Sequence, residues 1–194
     1  MVSLLRVIAA ILATVALAGC AAAPREERAE APAPQAVLNA PYRLASGDRL
    51  RVIVFGQSDL TNTYSVDSAG AVSMPLIGRV HAQGLTTAEL ERAVAARLRA
   101  GYIRDPSVSI EVEDFRPFFI LGAVGCPGQY PFIAGMTAQQ AVAVAGGFAP
   151  HAIEASVDIT RVVDGRPATF TAPLDYPVRA GDTIAVGASA FQGF

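Results

Sequence analysis

The 194-residue chain has no lysine, no tryptophan, two cysteines and two histidines, and only 16% of its residues are charged. Each scarcity removes a class of function. Binding to nucleic-acid phosphates needs a positive footprint, and 15 arginines against 17 acidic residues leave a net charge of −2 with no basic run. No nucleic-acid partner is expected. Two cysteines and two histidines do not supply a disulfide framework or a four-ligand zinc site of the usual spacing. Catalytic signatures are missing too: there is no Gly-x-Ser-x-Gly elbow, no glycine-rich phosphate loop with lysine, and no His-Glu-x-x-His. The sequence therefore predicts no enzyme, no cofactor and no metal. Apolar residues, by contrast, make up 52% of the chain, enough for a core and too many for a disordered tail.

The N-terminus reads as an address label rather than as fold. Met1–Arg6 carries one positive charge, and Val7–Ala18 follows without any charge (VIAAILATVALA). That run is too short to cross a bilayer comfortably, which takes about 20 residues as a helix. Leu17-Ala18-Gly19-Cys20 then closes it and resembles the lipobox of bacterial lipoproteins. The resemblance implies cleavage before Cys20 and acylation of that residue; the alternative is an ordinary secretory signal with Cys20 incidental. Processing removes Arg6 and no acid, so the mature chain is one charge more negative. Ala21 stands where, in that family, an Asp favours inner-membrane retention, so the expected destination is the periplasmic face of the outer membrane. Residues 20–41 are rich in Ala, Pro, Glu and Arg and show no period, and Pro24, Pro32, Pro34 and Pro41 interrupt any helix. They read as a lipidated flexible tether.

The body has α+β character. In Arg49–Phe55, Leu50, Val52 and Val54 face one way and the arginines the other. Ala69-Gly70 lies between strand signals near 63–66 and 72–77, which predicts a hairpin. Thr86-x-x-Glu89 fits a capping box that opens a helix. Leu90, Val94 and Leu98, with Ala93 beside them, form its apolar stripe, and Gly101 is placed to end it in a left-handed conformation. Asp105-Pro106 makes a turn into the alternating Ser107–Glu113 segment. After Asp114, Phe118–Val124 reads as a continuous apolar strand, and Pro127-Gly128 turns the chain. Thr137-x-x-Gln140 opens a second helix that stops at Gly146-Gly147, and further strands are predicted at 157–163 and 184–186. Two passages echo each other: Gly84-Leu85-Thr86 with Gly135-Met136-Thr137, and Ser46-Gly47-Asp48 with Ala180-Gly181-Asp182.

Candidate chemistry is sparse. Asp48 and Asp182 are conceivable as paired glycosidase carboxylates, but each follows Gly ahead of an apolar strand, where turn capping is the simpler role. His81 and His151 read as surface residues. Cys126 is an unpaired thiol if Cys20 is acylated, either a small buried hydrophobe or a cross-link to a neighbouring subunit. Phe115, Phe118, Phe119, Tyr130 and Phe132 cluster around the second-unit turn, where core packing is the default and sugar stacking the alternative.

In order and spacing, these motifs resemble the polysaccharide export lipoproteins of the bacterial outer membrane. The first block matches at Tyr42, Leu44, Gly47, Asp48, Leu50, Val52, Val54 and Phe55, then at Val66, Asp67, Gly70, Pro75, Leu76 and Gly78, then at Gly84-Leu85-Thr86, Glu89-Leu90 and Asp105-Pro106-x-Val108. A second block resembles the soluble-ligand-binding β-grasp module at Leu121-Gly122, Pro127-Gly128-Gln129-Tyr130-Pro131, Gly135-Met136-Thr137 and Ala145-Gly146-Gly147-Phe148. The resemblance implies a signal peptide (1–19), the tether (20–41), an α+β polysaccharide export domain (42–114) and a β-grasp domain (115–194). It implies a ring-forming homo-oligomer that carries capsular polysaccharide or exopolysaccharide. The implied partners are the glycan, the membrane through the lipid anchor, and an inner-membrane chain-length regulator, often a tyrosine kinase. Only eight residues follow Val186, whereas longer members carry a C-terminal membrane-crossing helix, so another protein is expected to supply the exit. The alternative function is a periplasmic glycan- or ligand-binding scaffold that forms no conduit.

Overall fold

The alternation in Arg49–Val54 becomes strand β1 in the computed structural model, which describes residues 31–163 and 165–189. Its inward residues Leu50, Val52 and Val54 are at most 2% exposed, while Arg49 and Arg51 lie on the open face. β1 is the centre of an antiparallel sheet in the order β2 (Asn62–Ser65), β1, β5 (Val108–Asp114). Arg49 pairs with Ser65 on one side and Val54 with Val108 on the other. β3 (Ala71–Met74) and β4 (Gly78–His81) form a separate ribbon. The hairpin predicted across Ala69-Gly70 is therefore corrected. Asp67 does close a turn there, accepting the Ala69 and Ala71 N–H groups at 2.9 Å each, but β2 pairs with β1, and β3 pairs with β4 across Pro75-Leu76-Ile77. β2 and β3 therefore belong to different sheets.

Helix α2 (Thr87–Arg99) covers the inner face of this first unit. Both hydrogen bonds of its capping box form, Glu89 N–H to the Thr86 hydroxyl at 3.2 Å and Thr86 N–H to the Glu89 carboxylate at 2.8 Å. These bonds hold the Glu89 carboxyl below its usual pKa range. Leu90, Val94 and Leu98 are buried in one cluster with Leu44, Leu50, Val52 and Ile110. Gly101 does not take a left-handed conformation; instead the Leu98 carbonyl accepts from Tyr102 and Ile103 N–H at 3.0 and 2.9 Å, so a wider turn closes the helix. Glu91 accepts the Ile110 N–H at 2.8 Å and blocks part of the open β5 edge.

The second unit is a mixed five-stranded sheet. It has the order β7 (Gly128–Tyr130), β6 (Phe118–Gly122), β10 (Thr183–Val186), β8 (Ser156–Val163), β9 (Arg166–Pro173), with β6 and β10 parallel and the other pairs antiparallel. Helix α3 (Ala138–Val144) has its own Thr137/Gln140 capping box and buries Ala138, Ala141 and Val142 in the second core, which holds the inner-facing strand residues. Only that face is covered. β6 consequently alternates, with Phe118 and Ile120 buried but Phe119 and Leu121 exposed, where the sequence predicts a continuously buried strand. β9 is not among the predicted strands; its apolar positions are few, and it follows a short turn from β8.

Part of the segment read as a tether is structured. Helix α1 (Pro34–Asn39), with proline in its first turn, packs Val37 into the second core. The sequence lacked an apolar period there because a single buried residue holds so short a helix.

Gly122 has φ +89° and passes so close to β10 that an added Cβ lies 2.1 Å from the Val186 carbonyl oxygen. Gly78 has φ +66° but open space around it. Gly122→Ala should therefore lower unfolding free energy by on the order of 3 kcal/mol, strain plus a backbone clash, against about 1 kcal/mol for Gly78→Ala. Urea titrations monitored by circular dichroism check the ranking.

Candidate functional site

The two Gly-Asp turns that echo in the sequence are the same device in space. Asp48 N–H donates to the Ala45 carbonyl and Asp182 N–H to the Arg179 carbonyl, both at 3.1 Å. In return, Ala45 N–H donates to Asp48 and Arg179 N–H to Asp182, both at 2.8 Å. Both carboxylates are buried, at 0% and 1% exposure, and each needs a cation or several donors to offset its lost hydration.

Asp182 is neutralised within the second unit. Arg161 on β8 grips it through Nε and Nη2 at 2.9 and 2.6 Å, and Nη2 also reaches the Pro177 carbonyl at 3.2 Å. The guanidinium lies 5.7 Å from the Phe170 ring centre and 5.9 Å from that of Tyr176.

Asp48 is neutralised across the junction of the two units. The Tyr42 hydroxyl lies 2.8 and 2.9 Å from its carboxylate oxygens, and Arg116 contributes its N–H at 3.0 Å and its Nη1 at 3.4 Å. Arg116 Nη1 also donates to the Tyr42 oxygen at 2.8 Å. Burial pushes the Tyr42 hydroxyl well above its ordinary pKa; Arg116 opposes this, and the Asp48 charge adds to it. Edge-to-face ring contacts run from Tyr42 to Phe115 (4.8 Å) and from Phe115 to Phe132 (5.5 Å). Arg116 also abuts the second turn: Gly181 N–H donates to the Pro117 carbonyl at 3.1 Å, and a Cβ on Gly181 lies only 2.6 Å from Arg116 Nε. One arginine thus sits against both Gly-Asp turns.

This arrangement suits a joint and not a glycosidase. Neither aspartate lines either of two surface hollows, one of about 140 Å³ at Arg51, Thr61, Asn62 and Thr63, and one of about 230 Å³ at residues including Ile153, Asp158 and Thr171. Each carboxylate is committed to its own donors. Among the described residues, no group of three or more His, Cys, Asp or Glu residues is placed to hold a metal ion.

The remaining motif residues fall in three places. Gly122, Pro127, Gly128, Gly146 and Gly147 gather at one end of the second unit, where Gly125 N–H donates to the Gly147 carbonyl and Cys126 N–H to that of Ala145. Cys126 is exposed there, which corrects the expectation of a buried thiol. Pro75 and Gly78 flank the β3–β4 turn, and Asp105-Pro106 precedes β5 with Pro106 buried. His81 and His151 are exposed. Of the clustered aromatics, Phe118 is core and Phe119 is open. Cys20 lies outside the described residues. Sequence reasoning missed Arg116 and Arg161. A charge at an inward-facing position of Val157–Val163 is the signal that marked Arg161; no comparable signal marked Arg116.

Residues 36–113 match the family model described as polysaccharide biosynthesis/export protein. Residues 36–113 thus carry the domain of this polysaccharide export family. It is 31% identical over 150 residues to the exopolysaccharide production protein ExoF of Rhizobium meliloti (strain 1021), a match covering 71% of this chain and 32% of that relative. The chain thus spans about a third of ExoF, and the similarity reaches beyond the family match. The domain match agrees with the sequence reading, which expects no enzyme. Among the described residues no helix is long and apolar enough to cross a membrane.

Removing one partner of a buried pair exposes the cost of the other. Arg161→Met should destabilise by about 3–5 kcal/mol, with Asp182→Asn restoring part of the loss in the double variant. At the junction, Asp48→Asn and Arg116→Met should show non-additive losses, a coupling of about 1 kcal/mol in a double-mutant cycle. Additive losses contradict the shared network.

Proposed function

We propose that this protein is a lipid-anchored subunit of a capsular polysaccharide or exopolysaccharide export channel, working as a ring-forming homo-oligomer at the periplasmic face of the outer membrane. The observation that carries the reading is the polysaccharide biosynthesis/export match over residues 36–113. The similarity to an exopolysaccharide production protein supports it. Residues 42–114 act as the export unit and 115–194 as a soluble-ligand-binding β-grasp unit. A mixed sheet with a parallel central pair, a hairpin on either side and one helix across one face supports that assignment. The motif at Leu17–Cys20 supports acylation at Cys20. Acyl chains contribute about 0.8 kcal/mol per buried CH₂, enough in combination to anchor the body without a membrane-crossing helix. An inner-membrane chain-length regulator is the partner beneath the ring.

The test is genetic. Deletion of the gene in a strain without paralogues should abolish surface polysaccharide, wild type should restore it, and Cys20→Ser should restore it poorly. Undiminished export in the deletion strain, with the purified protein binding short glycans as a monomer, supports the scaffold reading instead.

A further inference from the structure

The uncovered face of the second sheet is not uniform. Where β6, β10, β8 and β9 lie side by side, their outward residues Leu121, Ala185, Asp158 and Thr171 form one row. Within it the Thr171 hydroxyl donates to the Asp158 carboxylate at 2.8 Å. Relief comes from a neighbouring segment. Residues 151–153 lie beside the end of β10, with Ile153 N–H donating to the Gly187 carbonyl and Ser189 N–H to that of His151, both at 2.8 Å. A Cβ at position 187 would stand 3.1 Å from Ile153 Cδ1, so glycine there makes room for the isoleucine. Between them lies the hollow of about 230 Å³. Ala185 and Gly187 line it from β10 and its end, Asp158 and Ser156 from β8, Thr171 from β9, and Ile153 from the adjoining segment.

The lining is divided in kind. Ile153 and Ala185 are apolar, and the apolar flank continues to Leu121, which pairs with Ala185 and is exposed. Asp158, Ser156 and Thr171 supply a carboxylate and two hydroxyls. A sugar ring is divided the same way, with C–H groups on its faces and hydroxyls around its edge. Apolar surface takes the first, and a carboxylate accepts from the second in hydrogen bonds stronger than neutral ones. Charge narrows the ligand. Among the described residues no basic side chain lines the hollow, and the exposed Glu154 follows Ile153, so an acidic sugar meets like charge without a counter-ion. Size sets the strength. Pockets that enclose drug-sized ligands measure about 300–1,000 Å³, so this smaller hollow takes one ring, leaves part of it wet and releases it readily. The geometry points to a subsite for one neutral pyranose unit of the exported chain, held at Asp158, Thr171, Ile153 and Ala185. The choice of polymer rests on the export function proposed above; the recognition chemistry does not.

Saturation-transfer difference NMR tests the subsite on the mature protein extracted in detergent. The polysaccharide made by the source strain is partially hydrolysed, and anion exchange splits the oligosaccharides into a neutral and an anionic fraction. The neutral fraction should receive saturation, and the anionic fraction about fivefold less. Asp158→Asn should weaken neutral binding about fivefold, because its amide replaces charge-assisted hydrogen bonds with neutral ones. Ala185→Gln, which fills the hollow, should abolish binding. Val162→Gln, outside the hollow on the same face and 66% exposed before substitution, should leave it unchanged. Circular dichroism spectra matching wild type show that the variants remain folded. Equal or greater transfer to the anionic fraction overturns the inference. So does transfer to neither fraction, or neutral binding unmoved by both Asp158→Asn and Ala185→Gln. The deletion strain separates the two levels. Export lost on deletion, with no neutral binding, removes the subsite alone, whereas intact export with binding sensitive to Ala185→Gln removes the export function and leaves the subsite standing.

Discussion

A carboxylate with no exposure has to be neutralised by the fold, and at Asp48 the neutralising groups come from outside its own turn. Tyr42 opens the first unit and Arg116 follows it, so the charge is balanced only when both ends of that unit meet. Desolvation makes this a strong constraint. A buried charge left without partners costs several kcal/mol, a large share of a domain's usual 5–15 kcal/mol. Much of the rest follows. Phe115 and Phe132 pack where Tyr42 is pinned, and Gly181 has no side chain because Arg116 occupies the space.

The second Gly-Asp turn shows how the same local device serves a different end. Asp182 closes a turn identical in its backbone bonds, yet its arginine comes from the neighbouring strand of its own sheet. The first turn therefore joins units, and the second stiffens one. Arg179 extends the second turn to helix α1 at the Val37 carbonyl, so the N-terminal segment, the two turns and the inter-unit segment form one connected set of contacts.

What was legible in the sequence was what local physics decides. The Thr86 and Thr137 capping boxes, the Leu90-Val94-Leu98 stripe and the alternation of β1 follow from backbone satisfaction and burial period, and they appear as read. The Ser46–Asp48 and Ala180–Asp182 echo was legible as a turn, though not as a meeting point. Decisions made by distant partners were not legible. Pairing of β2 with β1, the open face that leaves Phe119 exposed, the docking of Val37 and the reach of Arg116 all depend on which surfaces the second unit offers. A short helix held by one buried valine leaves no period to detect.

The central claim is that the buried Asp48 network and the docking of helix α1 hold the first unit and the following sheet in one fixed orientation. Residual dipolar couplings of the mature protein, its N-terminus left without lipid, measure this most directly. The account predicts that amides from residues 42–114 and 115–189 fit a single alignment tensor of one magnitude and direction. Two tensors of different magnitude, one for each unit, would contradict it.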